Sequence, residues 1–281
     1  MIADAGGEAS HLEATKWAFL VRTETATAGG SSFYQFVPYR FGPFSFGLFQ
    51  EVAAMTRDGL IEELPNSRWC LTDAGRAEAL RAESGPAAAA RSIVKRFVGT
   101  PSSTLIDHVY SRHPWFTINS NIRKEETRPV APLAVYTAGY EGLLIDGFLN
   151  GLLKAGIVRL IDVRHNPIAR RYGFHKSTLA RLCGNLEIEY RHVPELGIPS
   201  EQRQDLAQGG SVARTQLFNS YERTTLATQI ESIATVASLV KEKASVLVCM
   251  EAKACDCHRS RLAKSVAALT GLPIVDLAIK A

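Results

Sequence analysis

Three of the five cysteines, Cys249, Cys255 and Cys257, fall within nine residues, in the run CMEAKACDCHR that ends on His258 and Arg259. A thiol at a helix N-terminus beside guanidinium groups is biased toward the reactive thiolate. Cys257 stands where a helix is expected to open, with Arg259 and Arg261 close by, so it is read as the candidate nucleophile. The plainer alternative is a buried cysteine that packs as a small hydrophobe. Cys255 and Arg261 also satisfy the CX5R spacing of cysteine phosphatases, in which loop amides and the arginine hold phosphate while the thiolate attacks. The intervening DCHRS lacks the glycines that let such a loop wrap an anion. Cys255, Cys257 and His258 have ligand chemistry, Cys249 lies nearby, and His165 or His192 could complete a set in space. A CxCH run without a second matched pair is not a standard zinc spacing, so no metal site is assigned.

A second group lies in LIDVRHNPIARRYGFHK. Asp162 can orient Arg164 by a charge-assisted hydrogen bond, or it can act as a general base while Arg164 holds an anion. Between residues 154 and 191 there are eight Lys or Arg and three Asp or Glu. Arg170, Arg171, Lys176 and Arg181 lie around one loop and helix. Such a run is either a solvated face or a phosphate contact.

The elements that must position these groups follow from periodicity. LAVYT, IVRLIDV, EIEYRHV, ASVLVCM and PIVDLAI read as strands, and helical patterns separate them. That alternation predicts an α/β domain over residues 132–281, Rossmann-like, with a mostly parallel sheet and helices on both faces. Ligands of open α/β sheets bind outside the carboxyl ends of the strands. Polar residues gather at four such ends: Thr137, Gly139 and Tyr140; Asp162, Arg164, His165 and Asn166; His192 and Glu195; and Cys249, Glu251, Cys257, His258 and Arg259. Cys257, Asp162 and Glu251 are the candidate catalytic residues. Thr137, Gly139, Tyr140, Arg164, Arg170, His192, Glu195, His258 and Arg259 are the candidate ligand-binding residues. No GxGxxG fingerprint or Walker A motif appears, and no cofactor is assigned.

The first half has a different rhythm. A helical pattern in HLEATKWAFLVRTET is followed by an aromatic stretch broken by Pro38 and Pro43. A helix over 45–58, capped by Ser45, leads into GLIEEL, PNSR and WCLT, which read as strand, turn, strand. Asp73 is expected to cap the helix AGRAEALRAE. Helix, hairpin and helix predict a mainly helical, winged-helix-like domain over 1–118, whose partner would be DNA or another protein. Further helices are expected over 87–113, and the polar stretch around 119–131 is read as a linker.

The chain has 281 residues, 46% hydrophobic and 21% charged, with a net charge of +4. These values fit two globular domains and permit nucleic-acid contact without requiring it. No apolar run approaches the ~18 residues of a membrane span. The N-terminus, MIADAGGEASHLEA, has neither the basic nor the apolar region of a signal peptide, so a cytoplasmic location is expected. An odd cysteine count in that setting argues against a disulfide framework.

The second half resembles the domain-of-unknown-function family 488. The likeness rests on YTAGYEG, the helix ending in KAGI, LIDVRHNPIARRYGF, IEYRHVPELG and VLVCMEAKACDCHRSRLA, and covers about 150 residues. The resemblance implies a Thr-x-Gly turn, an Asp-Val-Arg stretch, a Tyr…Glu-Leu-Gly stretch and a Cys-x-Glu followed by Cys-His-Arg. Tyr140 departs from that pattern, where a histidine is more usual, and Cys255 is peculiar to this chain. The first half resembles winged-helix-like proteins found beside phage and antitoxin genes, through YRFGPFSFGLF and LIDHVYSRHPWFTINS. Three readings follow. The chain is an enzyme or binding protein for a phosphate-bearing ligand, nucleotide or nucleic acid; or a DNA-binding regulator whose α/β domain senses a small anion; or a protein with cysteine phosphatase-like chemistry.

Overall fold

The computed structural model describes residues 1–81, 84–203 and 206–280, and the chain divides into two units, Met1–Thr127 and Arg128–Ala281. Among the described residues no helix is long and apolar enough to cross a membrane.

The first unit comprises β1 (Glu8–Ser10), α1 (His11–Glu24), β2 (Val37–Tyr39), β3 (Gly42–Phe44), α2 (Phe46–Arg57), β4 (Ile61–Leu64), β5 (Arg68–Leu71), α3 (Asp73–Ala79), α4 (Ser84–Phe97) and α5 (Ser102–Arg112). Ser10 opens α1 through a capping box with Glu13, and Ser45 caps α2 by accepting from Leu48 N–H at 3.2 Å. Asn66 and Ser67 both take positive φ, which closes the tight β4–β5 hairpin, and β1 adds to it in the order β1-β5-β4, all antiparallel. The cap of α3 differs from expectation. Thr72 accepts from Gly75 N–H at 3.0 Å, and Asp73 becomes the first helical residue, where a carboxylate suits the positive helix end. The last two residues of the helix expected there lie outside the described residues. The core gathers Trp17, Phe19, Leu20, Phe36, Trp69, Val94 and Val109.

The second unit comprises β6 (Val135–Gly139), α6 (Ile145–Lys154), β7 (Arg159–Asp162), α7 (Lys176–Asn185), β8 (Glu189–His192), α8 (Leu206–Tyr221), α9 (Ile230–Glu242), β9 (Ser245–Cys249), α10 (Arg259–Thr270) and β10 (Ile274–Leu277). The strands form one sheet in the order β10-β6-β9-β7-β8, and every pairing is parallel. β6, β7 and β9 are buried throughout, as strands covered on both faces must be. Right-handed crossovers require α6 and α7 on one face and α9 and α10 on the other. Ile233, Val236, Val240, Leu262 and Val266 of α9 and α10 pack with Val135, Ile161, Leu247 and Cys249.

In α8 Phe218 and Tyr221 are buried, and a π-helical turn, Glu222–Leu226, separates it from α9. Ser177 does not cap α7. His175 holds the N-cap position without a capping bond, and the Ser177 hydroxyl instead lies 3.2 Å from His175 Nδ1.

Candidate functional site

The sheet order sets where a site can form. The chain leaves β6 toward α6 and leaves β9 toward α10, on opposite faces, although β6 and β9 are neighbours. β7, on the other side of β9, likewise leads to α7. The topological switch point therefore falls between β6 and β9, the position where open α/β sheets take ligands. Thr137, Gly139, Tyr140, Asp162, Arg164, Glu251, Cys257, His258 and Arg259 all sit on or just after these strand ends.

Asp162 and Arg164 form a fully buried pair. Arg164 Nε donates to Oδ1 at 2.8 Å and Nη2 to Oδ2 at 2.6 Å, while Nη1 donates to the Tyr140 hydroxyl at 2.8 Å and the Phe174 carbonyl at 2.9 Å. Tyr190 donates its hydroxyl to Asp162 Oδ2 at 2.7 Å. The Tyr140 and Phe174 rings stack with centroids 4.1 Å apart. Burial raises the Tyr140 hydroxyl above its ordinary value, with Arg164 opposing. Arg164 is thereby committed to the protein. The pair fastens the loop after β7 to the end of β6, which is the plainer of its two expected roles. His192 Nε2 lies 2.9 Å from the Arg164 carbonyl and fixes the same turn.

Arg259 is fully buried and equally engaged. It donates to the carbonyls of Glu251 and Ala252, and its Nε reaches the Thr137 hydroxyl at 3.4 Å. Thr137 in turn donates to Asp276 of β10. Arg259 and Thr137 thus shape the loop after β9. Gly139 makes that loop possible, because a Cβ there would stand 1.8 Å from the Glu251 carbonyl oxygen.

Behind this loop Cys249, Cys257 and His258 form a buried cluster whose ligand atoms lie within 4.8 Å of one another. Each sulfur is 3.8 Å from His258 Nδ1, and His258 Nε2 is 3.2 Å from the Val163 carbonyl. The Tyr221 ring meets the imidazole edge-on at 5.3 Å. Glu251, half-buried, places Oε2 3.2 Å from Cys249 Sγ. A hydrogen bond from Cys257 holds the Cys249 thiol well below its ordinary value, with His258 and Glu251 adding to the effect. Burial, and then Cys249, push the Cys257 thiol well above its own. Burial and the neighbouring Cys249 raise the Glu251 carboxyl. Cys249 is therefore the more acidic of the two thiols, rather than Cys257, the sulfur favoured by helix position alone.

The remaining predicted residues stand apart from the cluster. Arg170 and Glu195 are exposed, as is Cys255. Arg261 bridges to Glu222 at 3.2 Å. Tyr190, Tyr221 and Asp276 were not singled out by the sequence. Asp276 carried no signal there, whereas the alternation of EIEYRHV placed Tyr190 on a strand.

An open, wholly parallel five-stranded sheet with its polar groups at the switch point defines a doubly wound α/β protein. Residues 144–266 match the family model described as Domain of unknown function DUF488. No curated protein matches the chain, and no solved structure does.

Proposed function

We propose that the second unit binds a phosphate-bearing ligand, a nucleotide or a nucleic-acid strand, across the carboxyl ends of β6, β9 and β7 and acts on it there. The observation that carries this reading is segment 163–186. It holds Arg164, Arg170, Arg171, Lys176 and Arg181 and no Asp or Glu. Arg170, Arg171, Lys176 and Arg181 are all exposed, on the loop after β7 and on α7. A cationic segment of this kind attracts phosphate by charge, without needing sequence recognition. Arg164, Arg259, Thr137 and Gly139 shape these strand ends. Glu251 and the cysteine–histidine cluster behind it are the groups with chemistry to offer. Titration of the full chain with a fluorescein-labelled single-stranded oligonucleotide tests the idea. Affinity should fall as salt rises, and Arg170→Glu/Lys176→Glu should weaken it by at least about tenfold. Binding indifferent to both would remove it.

A second reading makes the first unit the nucleic-acid site and the protein a regulator. It is favoured by α2 running directly into the β4–β5 hairpin, the order of a winged helix. The same titration with duplex DNA separates the two. Loss of binding in Arg57→Glu, at the exposed end of α2, with Arg170→Glu/Lys176→Glu unaffected, would favour the regulator.

A further inference from the structure

The Cys249, Cys257 and His258 cluster has the dimensions of a metal-binding face. Zinc–thiolate bonds of ~2.3 Å and zinc–imidazole bonds of ~2.0–2.1 Å, arranged tetrahedrally, give sulfur–nitrogen edges of roughly 3.5 Å. Both sulfurs stand 3.8 Å from His258 Nδ1, a few tenths of an ångström wider.

The second observation concerns the imidazole. With Nε2 against the Val163 carbonyl, Nε2 carries the proton and donates it. Nδ1 then presents its lone pair to both sulfurs. A backbone carbonyl that fixes the tautomer in this way is the usual outer partner of a metal-bound histidine. All three side chains are buried, so water does not compete with them from within. Glu251 adds a carboxylate oxygen on the outer side, next to Cys249.

The arrangement also explains why no zinc spacing is visible in the chain. One ligand is the last residue of β9, and the other two are the residues that open α10. β9 alternation puts Cys249 on the α10 face, so the pair is completed by the fold. Cys255, which suggested a CxC motif, is exposed and outside the cluster.

We propose that Cys249, Cys257 and His258 form a Cys2His site for a zinc-class transition metal ion, with Glu251 at or beside the fourth position. Two thiolates and an imidazole select zinc, cobalt and their neighbours over magnesium or calcium, which prefer oxygen. Each thiol binds as thiolate and releases its proton to solvent. The inference stands on different observations from the phosphate reading. Loss of oligonucleotide binding with metal binding intact would remove that reading and leave this one.

The test uses the full chain, reduced, stripped with a chelator and titrated with Co2+ alone. One ion per chain should bind, with thiolate-to-cobalt charge-transfer bands and tetrahedral ligand-field bands, and Zn2+ should discharge both. Cys249→Ser, Cys257→Ser and His258→Ala should each weaken binding by about 100-fold or more. Cys255→Ser should leave the spectrum unchanged. Zn2+ should also protect Cys249 and Cys257, but not Cys255, from alkylation in the wild-type chain, a readout that does not depend on any variant folding. Absence of cobalt–thiolate bands in the wild type, bands that survive Cys249→Ser/Cys257→Ser, or bands that vanish with Cys255→Ser would each overturn the proposal.

Discussion

The Glu251 carbonyl oxygen lies against the α-carbon of Gly139, so close that a Cβ there would stand 1.8 Å from it. Tyr140 N–H and Glu141 N–H reinforce the approach by donating to the Met250 carbonyl at 3.1 and 2.8 Å. The obstacle is backbone, so it cannot swing aside as a flexible side chain would. Gly139→Ala should therefore displace the loop after β9 and destabilise the second unit by about 1–3 kcal/mol. Urea denaturation followed by circular dichroism measures this, and a change near zero would mean that the loop is free to move.

The Asp162–Arg164 pair makes a prediction of opposite character, because it concerns charge. Both groups are buried, and among the described residues Asp162 is balanced by Arg164 and the Tyr190 hydroxyl. Arg164→Met should leave an uncompensated carboxylate and destabilise by about 3–5 kcal/mol. Arg164→Met/Asp162→Asn should recover part of that loss. Equal losses in the single and double variants would show that Arg164 matters through packing rather than charge.

Lys16 gives a pH dependence to the first unit. It is buried on α1, donates to the Phe41 carbonyl, and burial lowers its ammonium to about 7. The unfolded chain holds that proton up to ~10.4, the ordinary lysine value. Between these values the unfolded state binds more protons, so stability should rise as pH increases from about 7 toward ~10.4 and be flat for this group below. Lys16→Met should flatten the rise and raise stability at neutral pH. All three tryptophans, Trp17, Trp69 and Trp115, lie in this unit, so tryptophan fluorescence isolates it. An unchanged pH slope in the variant would refute the assignment.

Much of the second unit was legible in the chain. Apolar strands alternating with helical patterns lead to a parallel sheet, and the strand-end rule then brings Thr137, Asp162 and Cys249 to one edge. What was not legible is which of those groups the protein keeps for itself. Arg164 and Arg259 look like anion binders in sequence, yet each is committed to partners that leave little mark: the Phe174, Glu251 and Ala252 carbonyls, and Tyr140. The Val163 carbonyl that fixes His258 leaves no trace at all. Cys249 was visible as a strand end but not as a partner of Cys257, because only the fold of the β9 loop brings them together. α8 was missed because Gly209, Gly210 and scattered polar residues break its helical pattern, although Phe218 and Tyr221 are buried.

The proposed phosphate-bearing ligand would sit at the carboxyl ends of β6, β9 and β7. The most direct measurement is chemical-shift mapping of the isotope-labelled full chain with a short single-stranded oligonucleotide. The amides of Tyr140, His165, Arg170 and Met250 through Lys253 should be perturbed, and salt should reverse the effect. Perturbations confined to the first unit, or none at saturating oligonucleotide, would contradict this placement.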